Sequence, residues 1–382
     1  MAVTGLGLVS PLGIGVEATW RTLSEGGGPA PSAGPYGGSR AEVREVAGFD
    51  PRAHFAIPKA LKLTDRRTRF AVAAAREALA DAGLAGPLAE PARVGVVIGS
   101  SGSDLMAEEI AGVLRGEGSP GSVQEIPWFA SRMLAGLNPL WLLINLPNMV
   151  SAHVAIQVGA QGPNTTVMTD WVAGLQAVGE GCAWIESGEA DLVVTGGAET
   201  ASLPFVFGAY EAAGLFEAFP EREGPFVFGE GAGMLLLEEA GRAERRGARV
   251  HALIDGYGAA GSVSDDGGRD AVEVAVLEAL EATGTGPGEV DAVGLASVLS
   301  RRPYGAERDG LARALAGRER EIPLHAYSPR TGFALGASGA IDLVLLVKSL
   351  AAQAGAGRAL CTSIGYSGQA ASVAVRRQGE TP

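Results

Sequence analysis

An α/β fold with largely parallel strands is predicted by three observations. Buried apolar strands alternate with helical segments along the whole chain. The order of elements runs through twice, breaking near residue 245. Glycine, at 57 residues, and alanine are abundant, which suits tight turns and close helix–sheet packing. A chain of 382 residues is long enough to bury a large core. No flexible linker is visible, so two packed halves are expected, residues 1–245 and 246–382, the first enlarged by an insertion around 103–160.

Each element has its own signal. Residues 2–8 read as a buried strand, followed by a Gly- and Pro-marked turn and a helix over 14–24. Residues 26–50, rich in Gly, Pro and Ser, read as loop. Thr64 starts a helix, with Asp65, Arg66 and Arg67 in its first turns and an Ala-rich run to 82. Residues 93–100 form a buried strand, and 104–116 and 127–160 look mainly helical. A short β-branched strand leads to Trp171, and a helix runs from 172 to about 186. Further strands are read at 191–196, within 226–238, and at 251–258, 292–296, 360–364 and 371–376. Helices are read at 271–283, 304–316 and 339–353.

Composition narrows the partners. A net charge of −13 argues against nucleic acid or an anionic membrane. The basic groups cluster locally: Arg66, Arg67 and Arg69; Arg242, Arg245 and Arg246; Arg301 and Arg302. Each cluster reads either as a docking surface for an acidic partner or as a solvated face. The longest uncharged stretch, 133–169, is broken by Pro139, Pro147 and Pro163 and does not read as a membrane span. No signal peptide is read at Met1, so a cytoplasmic protein is expected. Cys182 and Cys361 sit in apolar segments and read as inert buried thiols. No metal or cofactor motif is read.

Six glycine-bearing motifs occur in register. They are Val3-Thr4-Gly5-Leu6-Gly7 with Ser10-Pro11-Leu12-Gly13; Gly162-Pro163-Asn164 through Gly174; Gly196-Gly197-Ala198-Glu199; Phe228-Gly229-Glu230-Gly231-Ala232-Gly233; Thr331-Gly332-Phe333-Ala334-Leu335-Gly336; and Gly365-Tyr366-Ser367-Gly368. Together the chain resembles the β-ketoacyl synthases of the thiolase superfamily over nearly its whole length. The resemblance implies a thiolase fold, an αβαβα five-layer sandwich of two related halves. It also implies a dimer whose two-fold axis lies beside the strand before Trp171.

The same alignment implies a degenerate active site. The nucleophilic cysteine position holds Trp171, and an indole cannot attack a thioester. The two histidine positions hold Ser297 and Phe333, and the lysine position falls at about Ser328. His54, His153, His251 and His325 match none of these places; His153 falls where the family often has a structural histidine. Asp170, Trp171, Phe333 and Tyr366 are expected to line the remaining pocket or tunnel.

Three functions fit. The first is a chain-length-factor-like subunit of a type II polyketide synthase, paired with an active ketosynthase that contacts the acyl carrier protein. There the indole would be a plug or the floor of a partner's tunnel. The second is a homodimeric pseudoenzyme adaptor for acyl carrier protein or acyl chains. The third is an acyltransferase with relocated chemistry, for which Asp170 and Ser297 are the polar candidates. The plainer reading of Asp170 is a helix N-cap.

Overall fold

The computed structural model describes residues 1–33, 41–102, 126–136, 138–201, 204–212, 226–263, 268–296, 301–316, 322–352 and 357–379. In the first half the elements used below are β1 (Ala2–Ser10), α1 (Val16–Ser24), β2 (Ala41–Arg44), α2 (Arg66–Asp81), β3 (Val94–Gly99), α3 (Met149–Val158), β4 (Asn164–Val167), α4 (Ala173–Glu186), β5 (Leu192–Glu199), α5 (Pro204–Ala212), β6 (Phe226–Gly229) and β7 (Gly231–Glu238). In the second they are β8 (Ala252–Gly261), α6 (Arg269–Glu281), β9 (Ala292–Leu295), α7 (Arg301–Ala314), β10 (Leu324–His325), α8 (Ser338–Ala352), β11 (Arg358–Ile364) and β12 (Gln369–Arg376).

The strands pair in the order β10-β9-β11-β12-β8-β1-β7-β5-β3-β4. The order is a duplication. Numbered within its own half, each five-strand set reads 3-2-4-5-1, and the pairing senses repeat strand for strand. The two sets meet where β1 pairs with β8, Ala2 opposite Leu253 and Val3 opposite Ala252.

Parallel pairing is confined to the outer strands: β4, β3 and β5 in one half and β10, β9 and β11 in the other. The inner strands are antiparallel, which corrects the expectation of a largely parallel sheet. For β11 and β12 the physical reason is connection length: they are joined by the tight turn at 365–368, too short for a crossover, so the chain folds straight back.

Three apolar clusters define the layers. The outer face of the first half packs α2 and α3 on its strands. The outer face of the second half packs α6 and α7. Between them α4 and α8 share one core with residues of both halves. The halves approach closely because Gly179 lacks a side chain: a Cβ there would stand 2.4 Å from the Tyr257 ring of β8. Helix α8 continues an apolar run, Leu335–Ala352, long enough by composition to cross a membrane, but 83% of it is buried in this central layer.

Two further expectations change. The segment read as loop contains β2, which pairs in parallel with β6, Ala41 opposite Phe226. Its partner lies far along the chain, so no local signal marks it. The α4 helix is preceded by one tighter turn, Asp170–Val172. The helix read at 104–116 lies outside the described residues.

Candidate functional site

Strand β4 ends just before Asp170–Val172, the elbow where the chain turns from strand into α4, and the backbone there is strained. Asp170 has φ 61° and Leu335, which packs in the cluster around Trp171, has φ 46°. Left-handed backbone is costly for a side chain such as leucine and easier for aspartate. Gly336 allows this close approach: a Cβ there would stand 2.6 Å from the Ser101 nitrogen and 3.1 Å from the Asp170 carbonyl oxygen.

Trp171 fills the elbow. Its side chain is 1% exposed. The indole Nε1 donates to the Tyr210 hydroxyl at 2.7 Å. Its ring meets Phe333 edge-on at 4.9 Å and Tyr210 at 5.9 Å, with Tyr366 at 6.5 Å. Phe207, Phe226 and Phe228 pack behind these. The result is a dry aromatic cluster contributed by the elbow, α5, β6 and the 331–336 segment. Edge-to-face contacts of this kind add about 0.5–1.5 kcal/mol each beyond area burial. Tyr210 and Phe207 were not singled out by sequence; the only signal was an aromatic-rich, uncharged run at 205–210.

Phe333 is held by its backbone as well as its ring. Its N–H donates to the Val227 carbonyl at 2.9 Å, and its carbonyl accepts from Gly229 at 2.8 Å. Asp170 is not a helix N-cap. Its carboxyl accepts the Tyr366 N–H at 2.7 Å, and the N–H groups of Ser367 and Trp171 also pull its pKa down. The cap reading fails because Asp170 is itself the first residue of the tight turn and its left-handed φ departs from cap geometry. Burial raises its pKa against the pull of these N–H groups. Tyr366, beside it, is half exposed at 54%. The structure thus brings Asp170, Trp171, Phe333 and Tyr366 together.

Ser328 is buried at the start of a short helix, Ser328–Thr331, and its hydroxyl has no hydrogen-bond partner among the described residues. Ser297 lies outside the described residues. Asp342, the fifth residue of α8, is buried, and burial with the nearby Glu307 pushes its carboxyl well above the usual range. The four histidines have other places. His54 stacks on Phe49, His153 is buried in α3, His251 bonds Asp81 at 2.6 Å, and His325 stacks on Tyr327. Both thiols are buried; burial pushes Cys182 up to about 12 and Cys361 well above its ordinary value. A surface groove of about 760 Å³ opens elsewhere, lined by Ile14, Ile57, Arg76 and Ile156, and shares no residue with the aromatic cluster.

Arg66, Arg67, Arg69, Arg242 and Arg246 are committed internally, while the side chains of Arg301 and Arg302 lie outside the described residues. Arg66 grips buried Glu230 through Nε at 3.0 Å. Arg67 is buried between Asp65, at 3.0 Å, and Ser100, at 2.9 Å. Arg69 bonds the Thr64 carbonyl at 2.7 Å. Arg242 and Arg246 pair with buried Glu238, and Arg245 with Glu239. Neither a docking surface nor a solvated face describes Arg66, Arg67 and Arg69. Buried Glu199 and Glu230 need neighbouring cations, and these arginines supply them.

The fold, the elbow and the glycine turns around it point one way, and comparison with known proteins decides it. Residues 1–243 match the model of the β-ketoacyl synthase N-terminal domain. The chain belongs to the β-ketoacyl synthase family. It is 32% identical over 375 residues to the actinorhodin polyketide β-ketoacyl synthase 1 of Streptomyces coelicolor, covering 92% of this chain and 77% of that one. It is 33% identical over 382 residues to 3-oxoacyl-[acyl-carrier-protein] synthase 2 of Vibrio harveyi, covering 92% and 86%. Among solved structures, the ishigamide ketosynthase/chain length factor superposes with a TM-score of 0.83 at 24% identity, covering 99% of each chain. The five-layer thiolase fold is therefore that of a ketosynthase. Within it the elbow presents an indole, a neutral buried phenol and a carboxyl already engaged by backbone, and no thiol or imidazole among the described residues of the cluster.

Proposed function

We propose that the chain is a catalytically inactive ketosynthase-like subunit that pairs with an active ketosynthase and shapes its acyl-chain tunnel, a chain length factor of type II polyketide biosynthesis. One observation carries the reading: Trp171, which the family resemblance aligns with the nucleophile position, is buried and hydrogen-bonded to Tyr210. An acyl-enzyme needs a thiolate or alkoxide there, and an indole supplies neither. The likeness to polyketide ketosynthases and to the ishigamide assembly supports the pathway. The chain would divide into its two halves at 245/246 and act in the cytoplasm without cofactor.

The partner surface follows from the sheet. β4 ends the strand order, and its outer edge has no neighbour among the described residues. An open edge beside apolar surface is a pairing site. The preceding segment exposes Leu134 at 86%, with Leu140, Leu142 and Leu143, and Met168 lies exposed just after β4. A ketosynthase offering its own edge strand is the fitting partner. Because the described arginine clusters are spent on internal acids, carrier-protein docking is assigned to that partner, which favours this reading over the adaptor.

Two measurements test it. Co-expression with its ketosynthase is expected to give a one-to-one complex, and expression alone a poorly soluble chain or a fallback homodimer; a stable monomer in dilute solution overturns the pairing. Incubation of the isolated chain with malonyl-carrier protein is expected to give neither an acyl adduct by mass spectrometry nor released CO2. Turnover in a preparation free of host ketosynthases overturns the inactivity.

A further inference from the structure

The Asp170 carboxyl lies at the start of α4, between Trp171 and the 365–368 turn. The Tyr366 N–H donates to it at 2.7 Å, and the backbone N–H groups of Ser367 and Trp171 act on it by pulling its pKa down. Trp171 belongs to the turn that opens α4, and the other two belong to the Gly365–Gly368 turn between β11 and β12. Donors converging from a helix start and a tight turn form an anion hole, suited to the negative oxygen that develops when a thioester carbonyl is attacked. Its position beside residue 171 is the position required for attack from that side chain. Gly365 lets the turn close over the carboxyl: a Cβ there would stand 3.1 Å from Asp170 Oδ2. The left-handed φ of 61° at Asp170 goes with this placement, its carboxyl meeting the turn instead of capping the helix.

We propose that Asp170 is a built-in occupant of the chain's own oxyanion hole, a self-ligand that keeps acyl thioesters and small carboxylates out of a site whose donors are intact. The site is thus closed twice, at the nucleophile by Trp171 and at the oxyanion hole by Asp170. Vacating it exposes a receptor for a small carboxylate. The meaning of this contact rests on the function proposed above. Its test is independent, since formate binding is measured without a ketosynthase; pairing can fail while formate binding succeeds, and the reverse.

The experiment uses the full chain, with any subunit that co-purifies. Thermal unfolding is followed in sodium formate and in sodium chloride at matched concentrations. Wild type is expected to melt alike in both salts. Asp170→Gly, which also suits the left-handed backbone, is expected to gain a few degrees in formate, saturating as the hole fills. An equal formate response in wild type and variant overturns the proposal. Should Asp170→Gly not fold, Asp170→Asn keeps one accepting oxygen and removes the charge. In wild type the carboxyl's pKa is raised by folding, so its contribution is greatest below the unfolded value, about 3.9, and is lost as pH rises through the folded one. The Asn variant is expected to lack that decline as pH rises above the unfolded value. An Asn profile superimposable on wild type overturns the placement of the carboxyl.

Discussion

Trp171→Ala is expected to destabilise the chain by about 3–5 kcal/mol and to lengthen the products of the complex. The stability term follows from burial. The indole is 1% exposed and packs on Phe333, Tyr210 and Tyr366, and rigid aromatic neighbours collapse poorly into the space it leaves. The Tyr210 hydroxyl, buried and with its pKa pushed up, also loses the N–H it now accepts. Denaturant unfolding of the complex measures this part. Product length is the functional part: a cavity the size of an indole admits several chain carbons if it opens on the shared tunnel. Product profiling of the reconstituted pair is expected to show longer chains. An unchanged profile with lowered stability reduces Trp171 to core packing and removes its role in the tunnel.

Trp171→Cys is expected to restore no condensation. The thiol would stand at the start of α4, where the helix dipole favours a thiolate, so slow alkylation by iodoacetamide is expected. On the proposed alignment, however, malonyl activation is missing. There the histidine positions hold Ser297 and Phe333, and Phe333 is buried and bonded through its backbone to β6. Loss of one oxyanion-stabilising donor costs about 10²–10³ in rate, so losing both leaves the reaction near background. Asp170 would still fill the hole beside the new thiol. Condensation at the rate of an intact ketosynthase, by a Trp171→Cys homodimer, overturns the inactive-subunit reading.

Much of the fold was legible because its signals are local. The apolar runs of β3, β5 and β11 and the Ala-rich face of α2 announce themselves within a few residues. The start of α2 was read at Thr64, two residues early: the helix begins at Arg66, and Asp65 caps it, its carboxyl accepting the Thr68 N–H at 2.7 Å. The antiparallel centre was partly legible too, since no helix-length segment separates β11 from β12. β2 was hidden: four residues in a Gly-rich stretch become a strand only when β6 arrives beside them.

The sequence by itself carried the family resemblance and, through it, the proposed loss of the nucleophile. Both are matters of residue type and spacing, and Trp171, Phe333 and Ser328 need no coordinates to be read as missing chemistry. Tertiary structure decided what replaced it. Tyr210 reaches Trp171 from α5, Glu230 and Glu199 draw Arg66 and Arg67 inward, and the 365–368 turn brings its N–H groups to Asp170. These contacts join residues between 39 and 196 positions apart for Trp171–Tyr210 and Asp170–Tyr366. Local pattern carries no record of such partners. Burial decides them, because a polar group taken out of water must bond to whatever the fold places beside it.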